Sequence, residues 1–308
     1  MRKYSNNIIV LLCFIILILI LLNKTLVSDT IITSFYIWFN TMLPSMFPMF
    51  ILSDILITYN FTNYLPKKLI SYLSKIFNLS NNAVFIFLLS MISGFPLNAI
   101  IIKNSFDNKL LTKEECEHLL YFTHFSNPLF ILNTVGIFYL NSNIYGIIIL
   151  ISHILSNIII AILLRNKNYP NIHYISLNSN CQSFGTTLSN SINKAISSLL
   201  MISGTVTLFL ILSTLITHIF NLNSYLGTLV QGILEMTMGL SSLSKLNISN
   251  LYKVILSTFF LSFGGLSIHL QVYSSIDNCF SYKNYFIGRI YQIVISIIIV
   301  TILFSILN

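Results

Sequence analysis

The sequence predicts an all-α, polytopic membrane protein with about seven spanning helices and two re-entrant hairpins arranged as an inverted repeat. Hydrophobic residues make up 55% of the 308 residues and charged residues only 8%, against roughly 25% charged in an ordinary soluble domain. Uncharged runs long enough to cross a bilayer recur along the whole chain. Glycine or proline interrupts two apolar segments in each half of the chain. Paired interruptions of this kind are typical of transporters built from repeats.

The polar stretches between the apolar runs divide the chain into five predicted parts. These are the N-terminal spans 1–64, an amphipathic interfacial helix 65–82, a first repeat half 83–164, a polar connector 165–185 and a second repeat half 186–308. The seven predicted spans are 8–22, 30–59, 120–140, 143–164, 199–220, 251–273 and 285–307.

The predicted interfacial helix has lysines on one face and apolar residues on the other. Its basic residues are Lys67, Lys68 and Lys75, and the apolar residues with helical spacing are Leu69, Ile70, Leu73 and Ile76. Such a helix is expected to lie on the anionic inner leaflet of a membrane. Further along, Thr112 and Glu115 have the spacing of a capping box, which predicts a short surface helix.

The first interruption lies in the apolar run 83–102, where Ser93-Gly94-Phe95-Pro96 breaks a segment otherwise long enough to span. Proline removes a backbone donor and glycine weakens the helix beside it. In hydrocarbon, the freed polar groups are tolerated only inside protein or beside a wet cavity. A membrane segment broken at its centre therefore predicts a solute site.

The same order of parts occurs twice. In the first half, the segment broken at Gly94 precedes a helix interrupted at Asn127-Pro128; in the second half, a short segment carrying Glu235 precedes a helix interrupted at Gly264-Gly265. The separations are 33 residues from Gly94 to Asn127 and 29 residues from Glu235 to Gly264. Corresponding interruptions in two halves indicate an inverted repeat.

The distribution of positive charge supports hairpins rather than full spans at the two short segments. With the N-terminus inside and both segments re-entrant, 13 of the 16 Lys and Arg residues fall on the inner side and 3 on the outer side. Excess Lys and Arg normally lies in cytoplasmic loops. The formal net charge of +8 is therefore interpreted as an orientation signal.

Several function classes find no support in the sequence. No nucleophile–base arrangement or metal motif occurs among the polar residues of the apolar segments, so the chain is not expected to be an enzyme, and no metal or cofactor is predicted. No dense basic patch is interleaved with aromatic residues, so nucleic-acid binding is not expected either.

Five motifs, in this order, resemble the YlbJ-type sporulation integral membrane proteins. They are Ser93-Gly-Phe-Pro-Leu-Asn-Ala, Leu111-Thr-Lys-Glu-Glu-Cys-Glu, Phe125-Ser-Asn-Pro-Leu-Phe-Ile, Gly232-Ile-Leu-Glu-Met-Thr-Met-Gly and Phe263-Gly-Gly-Leu-Ser-Ile-His-Leu-Gln-Val. That family belongs to the nucleoside-recognition (Gate) superfamily, which is related to concentrative nucleoside transporters. The resemblance covers most of the chain, from about the second span to the end.

The resemblance implies a protein that is made in the mother cell of an endospore-forming bacterium and placed in the outer forespore membrane. There it implies movement of dipicolinic acid (pyridine-2,6-dicarboxylate) toward the spore. The sequence departs from the family pattern at four positions: Asn98 and Asn127 replace usual glycines, Ile100 replaces a usual lysine and Met238 replaces a usual asparagine. The lost lysine matters because a lysine would pair with a dianionic solute such as dipicolinate. Lys103 is the residue nearby that is positioned to replace it.

The candidate substrate-binding residues follow from the interruptions and from the polar residues beside them. Helix N-termini at the breaks are expected to present N–H groups to an anion, and an ionisable group inside a membrane is a functional candidate by default. The candidates are Ser93, Gly94, Asn98, Lys103, Ser126, Asn127, Glu235, Thr237, Gly264, Gly265, Ser267, His269 and Gln271. Glu235 is expected either to bind a substrate donor or coupling cation, or to pair with His269 or Arg289.

Three function hypotheses remain open at this stage. The chain is expected to carry dipicolinate; the alternatives are an ion-coupled nucleoside transporter and a non-transporting assembly protein of the spore envelope. The expected partners are a small anionic solute and the lipid bilayer, with a coupling ion and a second copy of the chain left open.

Overall fold

The computed structural model describes residues 2–59, 61–165, 183–277 and 279–307, and within these ranges the regular secondary structure is helical. The all-α prediction is confirmed. The α-helices are α1 Arg2–Leu22, α2 Lys24–Ile37, α3 Leu43–Thr58, α4 Lys67–Phe77, α5 Asn81–Ser93, α6 Leu97–Asp107, α7 Lys113–Leu119, α8 Asn143–Leu163, α9 Phe184–Ile219, α10 Ser224–Leu234, α11 Met236–Ser244, α12 Asn250–Phe263, α13 Gly265–Ile276 and α14 Tyr282–Leu307. Most of the predicted connector 165–185 lies outside the described residues.

Within the described ranges, five helical stretches are long and apolar enough to cross a membrane. They are Lys24–Thr58, Asn143–Leu163, Phe184–Ile219, Asn250–Ile276 and Tyr282–Leu307. A sixth is obtained if α4 and α5, which meet at 93°, are counted as one bent span. Large apolar side chains such as Val294, Ile298 and Ile302 are about half exposed on α14, as expected for a lipid-facing surface. The chain is a multi-pass membrane protein.

Five of the seven predicted spans correspond to these stretches, and the other two correspond to shorter apolar helices. Those helices are Asn7–Leu22 and the π-helical segment Phe130–Tyr139. The latter is short because residues 120–127 at the start of the predicted span 120–140 are not helical. Five or six candidate spans within the described ranges are consistent with the predicted multi-pass architecture.

The second predicted span is helical from Lys24 to Thr58 despite two prolines. A π-helical segment, Trp38–Met42, lies directly before Pro44, and the Leu43 N–H bonds to the Trp38 carbonyl. A wider turn of this kind accommodates a residue that has no N–H to donate.

The amphipathic helix α4 is found where the sequence predicted it. Ile70 and Phe77 are buried and its lysines are exposed. Leu69, predicted to be on the apolar face, is instead 44% exposed. The predicted capping box is also confirmed, because the Thr112 hydroxyl accepts the Glu115 N–H at 3.2 Å and the Glu115 carboxylate accepts the Thr112 N–H at 3.0 Å.

The helix α9 contains residues 199–219 of the predicted span 199–220 and begins before it, at Phe184, so that it is one continuous element of 36 residues. At 1.5 Å per residue it is about 54 Å long, against about 30 Å of hydrocarbon. It packs along α2 and α3. α3 also packs against α5 of the first hairpin, and α9 packs against α10 of the second.

Candidate functional site

The first hairpin consists of α5 and α6, and its turn lies against the break in the following helix. Gly94 has φ +79°, and a Cβ there would lie 2.8 Å from the Asn127 backbone nitrogen. The Phe95 N–H donates to the Phe125 carbonyl at 2.8 Å. Only glycine permits this approach. The turn at Gly94 and the helix break at Asn127 are therefore in direct contact.

Polar side chains hold this first turn in place. The Ser93 hydroxyl donates to the Asn98 side-chain oxygen at 2.7 Å, and the Asn98 amide nitrogen donates to the Thr123 carbonyl at 2.7 Å. All three residues are buried. Asn98, one of the residues that differ from the family pattern, therefore links the turn to the segment that precedes the break.

The break at residues 124–128 is satisfied by neighbouring side chains. The Asn127 side-chain oxygen accepts the Leu129 N–H at 2.9 Å, and its amide nitrogen donates to the Ser45 carbonyl at 3.2 Å. The Ser126 N–H donates to His153 Nε2 at 2.9 Å. In this structure, the N–H groups of Ser126 and Leu129 are thus paired with protein atoms rather than free for an anion, because two side chains serve as caps.

The second hairpin consists of α10 and α11, with Glu235 at its turn. A Cβ on Gly239 would lie 2.2 Å from the Gly232 Cα, and the Phe260 ring would lie 2.1 Å from a Cβ on Gly232. The two helices therefore cross at these two glycines, with an aromatic ring packed over the crossing. Glu235 is 1% exposed and caps α11 by accepting the Met238 N–H at 2.9 Å and the Thr237 hydroxyl.

The second turn also lies against the break in the following helix. Gly264 and Gly265 have φ +88° and +72°, and a Cβ on Gly265 would lie 3.0 Å from the Met236 nitrogen and 3.3 Å from the Glu235 Cα. The relation of hairpin turn to helix break is therefore the same in both halves. The pairing of interruptions predicted from sequence spacing is matched by contact in space.

The two halves meet at His124. A Cβ on Gly264 would lie 3.2 Å from His124 Nε2, and the His124 ring stacks on Phe95 with ring centres 4.4 Å apart. The Tyr285 hydroxyl lies 3.3 Å from His124 Nε2. His124 thus contacts the first turn and the second break together.

Two candidates on α13 are buried and have no hydrogen-bond partner in the described part of the chain. They are Ser267, through its hydroxyl, and Gln271, through both atoms of its amide. Their spacing of four residues places them on one face of α13. Buried polar groups are normally bonded, so these side chains offer donors and acceptors to a solute.

The remaining candidates have other roles in this structure. His269 lies at hydrogen-bond distance from the Tyr282 hydroxyl and, at 3.0 Å, from the Phe263 carbonyl. Among the described residues, neither His269 nor Arg289 forms an ion pair with Glu235. Lys103 does not lie at the first break, because it pairs with Asp107 one turn along α6 at 2.6 Å.

A buried polar cluster on α8 and α14 was missed by the sequence interpretation. Arg289, with no exposed surface, donates to the carbonyls of His124 and Tyr121 at 3.3 Å and to the Gln292 side chain. The Gln292 amide nitrogen lies 3.1 Å from His153 Nδ1. The available signal was the pair of polar residues three apart, Arg289 and Gln292, inside an apolar run.

Comparison with known proteins gives this arrangement a family context. The chain is 25% identical over 312 aligned positions to the sporulation integral membrane protein YlbJ of Bacillus subtilis (strain 168). The match covers 89% of this chain and 76% of the relative. The resemblance to the YlbJ-type proteins is confirmed. No family model matches the chain, and no solved structure matches it.

The four departures from the YlbJ-type pattern lie at or beside the two hairpin turns. Asn98 and Asn127 each make side-chain hydrogen bonds that a glycine cannot make. Met238 supplies a backbone N–H to Glu235, which any residue supplies. Ile100 lines a cavity on the other side of α6, so a lysine at this position would have faced that cavity rather than the break.

Proposed function

We propose that this chain is a transporter, rather than an enzyme, that acts in endospore formation and moves dipicolinic acid from the mother cell across the outer forespore membrane. One observation carries the proposal: in each half, the turn of a helical hairpin lies directly against a break in the next helix. Broken helices paired in this way surround solute sites in membrane transporters. The printed name of the relative, a sporulation integral membrane protein, supports the cellular role.

The polar groups at the paired breaks support a small polar solute. Irregular backbone at membrane depth is tolerated only where protein or water satisfies it. Here most freed groups are bonded, whereas Ser267 and Gln271 on α13 retain unpaired atoms. A carboxylate or a ring nitrogen accepts hydrogen bonds from such hydroxyl and amide donors. Their position in the helix that follows Gly264-Gly265 supports solute contact at the second break.

Glu235 fits the role of a coupling site. Its buried carboxylate accepts bonds from Thr237 and Met238, and no Lys or Arg in the described ranges pairs with it. A buried carboxylate without a cation is costly, and a dianionic solute nearby makes its charge still less favourable. A bound proton or cation at Glu235 removes this cost and links solute movement to ion movement.

The nucleoside alternative is favoured by the same residue, because a carboxylate accepts hydrogen bonds from ribose hydroxyls. Counter-flow in proteoliposomes separates the two solutes. With purified protein, we expect labelled dipicolinate to exchange and labelled uridine to remain outside. Exchange of uridine alone would support the nucleoside alternative.

The cellular experiment is deletion of the gene in the endospore-forming host. We expect spores with strongly reduced dipicolinate, accumulation of dipicolinate in the mother cell, and recovery when the wild-type gene is restored. Spores of normal content would contradict the proposal. If Glu235→Ala and Asn127→Leu proteins are made at normal levels and restore sporulation fully, the non-transporting assembly role is supported instead.

A further inference from the structure

A cavity of about 440 Å³ lies between α3, α6 and α9, apart from the paired breaks. This volume is within the range of small-molecule sites. Its lining comes from three elements and comprises Phe50, Asp54 and Ile57 of α3, Leu97, Ile100, Ile101 and Asn104 of α6, and residues 193–195, 197 and 198 of α9. The cavity reaches Leu97, the first residue of α6 after the turn of the first hairpin.

The cavity changes in polarity from its interior to its mouth. Phe50, Leu97 and Ile101 are buried, with 2%, 8% and 2% of their surface exposed. Asn104 is partly exposed, and Asn193 and Lys194 are exposed. Leu97 and Asn104 are seven residues apart on α6, which is a rise of about 10 Å. The cavity therefore joins an apolar interior beside the hairpin turn to a polar opening.

An ion pair lies in the wall of this cavity. Lys194 Nζ is 2.9 Å from one Asp54 carboxylate oxygen and 3.1 Å from the other, and Ser191 donates a hydrogen bond to Asp54 at 2.7 Å. The Lys194 side chain is 59% exposed and that of Asp54 is 17% exposed. Asp54 is thus held from two sides, whereas Lys194 is an exposed cation with three donors. It is the member of the pair that is free to change partner.

We propose that this cavity is a vestibule that binds a small carboxylate carrying an apolar ring, and that Lys194 exchanges Asp54 for the carboxylate of the solute. The ring packs against Phe50, Leu97 and Ile101. The carboxylate accepts hydrogen bonds from Lys194 and from the side-chain amides of Asn104 and Asn193. This inference rests on the proposed function, because it gives the solute a first binding site between the predicted inner surface and the first hairpin.

Charge complementarity selects this occupant over a lipid chain. A purely apolar groove would accept a fatty acyl chain, but this cavity brings a lysine and two side-chain amides together at its opening. An anion gains charge-assisted hydrogen bonds from such a set. Retained phospholipid is the competing occupant and is an outcome of the test.

The test is calorimetric titration of the purified full-length protein in detergent with benzoate, with pyridine-2,6-dicarboxylate and with neutral benzamide. We expect both carboxylates to bind and benzamide to bind at least tenfold more weakly. Lys194→Gln should weaken carboxylate binding at least tenfold. Asp54→Asn should strengthen it several-fold, because the internal competitor for Lys194 is removed. The matched control Lys113→Gln, at an exposed lysine of α7, should bind as wild type does.

Opposite effects of the two substitutions are the decisive result. If Asp54→Asn and Lys194→Gln weaken binding equally, the ion pair only supports the structure and the proposal fails. It also fails if wild type binds no carboxylate, or if native mass spectrometry shows a phospholipid that added benzoate does not displace. The exchanged pair Asp54→Lys with Lys194→Asp tests whether the ion pair supports folding, because it keeps both charges in the cavity wall. We expect its melting temperature to be close to that of wild type.

The vestibule and the proposed function can fail separately. If carboxylate binding follows the expected pattern while spores lacking the protein contain normal dipicolinate, the vestibule stands and the transport role in sporulation is wrong. If deletion lowers spore dipicolinate but the Lys194→Gln protein restores it fully, the transport role stands and the vestibule is wrong.

Discussion

The two hairpin turns occupy equivalent places but differ in chemistry. The first is held by uncharged groups, with Ser93 and Asn98 linked to each other and to the Thr123 carbonyl. The second carries the carboxylate of Glu235, whose hydrogen bonds come from its own helix α11. The first turn is thus tied to its neighbours by neutral bonds. The second turn is attached to its neighbours mainly by close backbone packing, and its electrostatic energy depends on the charge of the Glu235 carboxylate.

Under the proposed function, this difference separates a fixed part of the site from a part that responds to ions. Changing the protonation or the bound cation of Glu235 alters the electrostatic energy of the second turn without breaking a bond to another helix. None of the residues 93–98 that form the first turn carries an ionisable side chain. We therefore expect substitutions at the first turn to affect stability, and substitutions at the second to affect solute movement.

The largest effect is expected where glycine allows the second hairpin to form at all. In Gly239→Val, the new side chain collides with the Gly232 Cα, which lies 2.2 Å from an ideal Cβ. We expect loss of folded protein in size-exclusion chromatography of the detergent extract, because the backbone of a close crossing cannot move apart cheaply. Gly204→Val is the matched control, since nothing lies within 4 Å of its Cβ position. Normal yield of Gly239→Val would show that the crossing is not needed.

The next largest effect tests the charge at the second turn. Glu235→Gln keeps the size of the side chain and an acceptor oxygen for the Met238 N–H, but removes the ionisable group. We expect at least a tenfold loss of dipicolinate exchange in proteoliposomes, with a melting temperature close to that of wild type. Glu114→Gln, at an exposed glutamate of α7, serves as the control. Unchanged exchange in Glu235→Gln would remove Glu235 from the coupling role.

A smaller effect is expected at the cluster behind the first break. Arg289→Leu leaves the Tyr121 carbonyl and the Gln292 side-chain oxygen without the guanidinium donor, whereas the His124 carbonyl keeps the Asn157 amide. An unsatisfied buried group costs about 1–3 kcal/mol. We expect a destabilisation of about 2–4 kcal/mol, measured by thermal unfolding in detergent. Lys283→Leu on the same helix is exposed and should change little. A melting temperature at or above that of wild type would contradict a bonding role for Arg289.

The smallest effect is expected at the first turn itself. Asn98→Ala removes the hydrogen bonds to Ser93 and to the Thr123 carbonyl, each worth about 1 kcal/mol. We expect a destabilisation of about 2 kcal/mol and exchange within twofold of wild type. If exchange falls as far in Asn98→Ala as in Glu235→Gln, the first turn contacts solute directly and the contrast between the two turns is wrong.

The positions of the breaks could be predicted from the sequence because their causes are local. Proline without an N–H and glycine at positive φ act on their own helix, so Pro96, Gly94 and Gly264 marked the turns and breaks correctly. The capping box at Thr112 and the amphipathic helix α4 are also local patterns. The fold class and the two hairpins follow from such signals together with hydropathy.

The parts that could not be predicted depend on contacts between distant residues. Nothing near Ser126 in the sequence shows that His153 will accept its N–H, 27 residues away. The predicted anion-binding N–H groups are therefore capped in the folded chain. The pairing of Lys103 has a local cause that was available in the sequence, since Asp107 lies four residues along the same helix and pairs with it.

The length of α9 has a practical consequence. A helix of 36 residues, about 54 Å long, extends well beyond about 30 Å of hydrocarbon, and tilting does not absorb the difference. Its N-cap residue and its first three residues, positions 183–186, are exposed. A compact domain fused rigidly to Phe184 would inherit the orientation of this helix. It would give electron microscopists an alignment marker for a membrane protein of only 35.1 kDa.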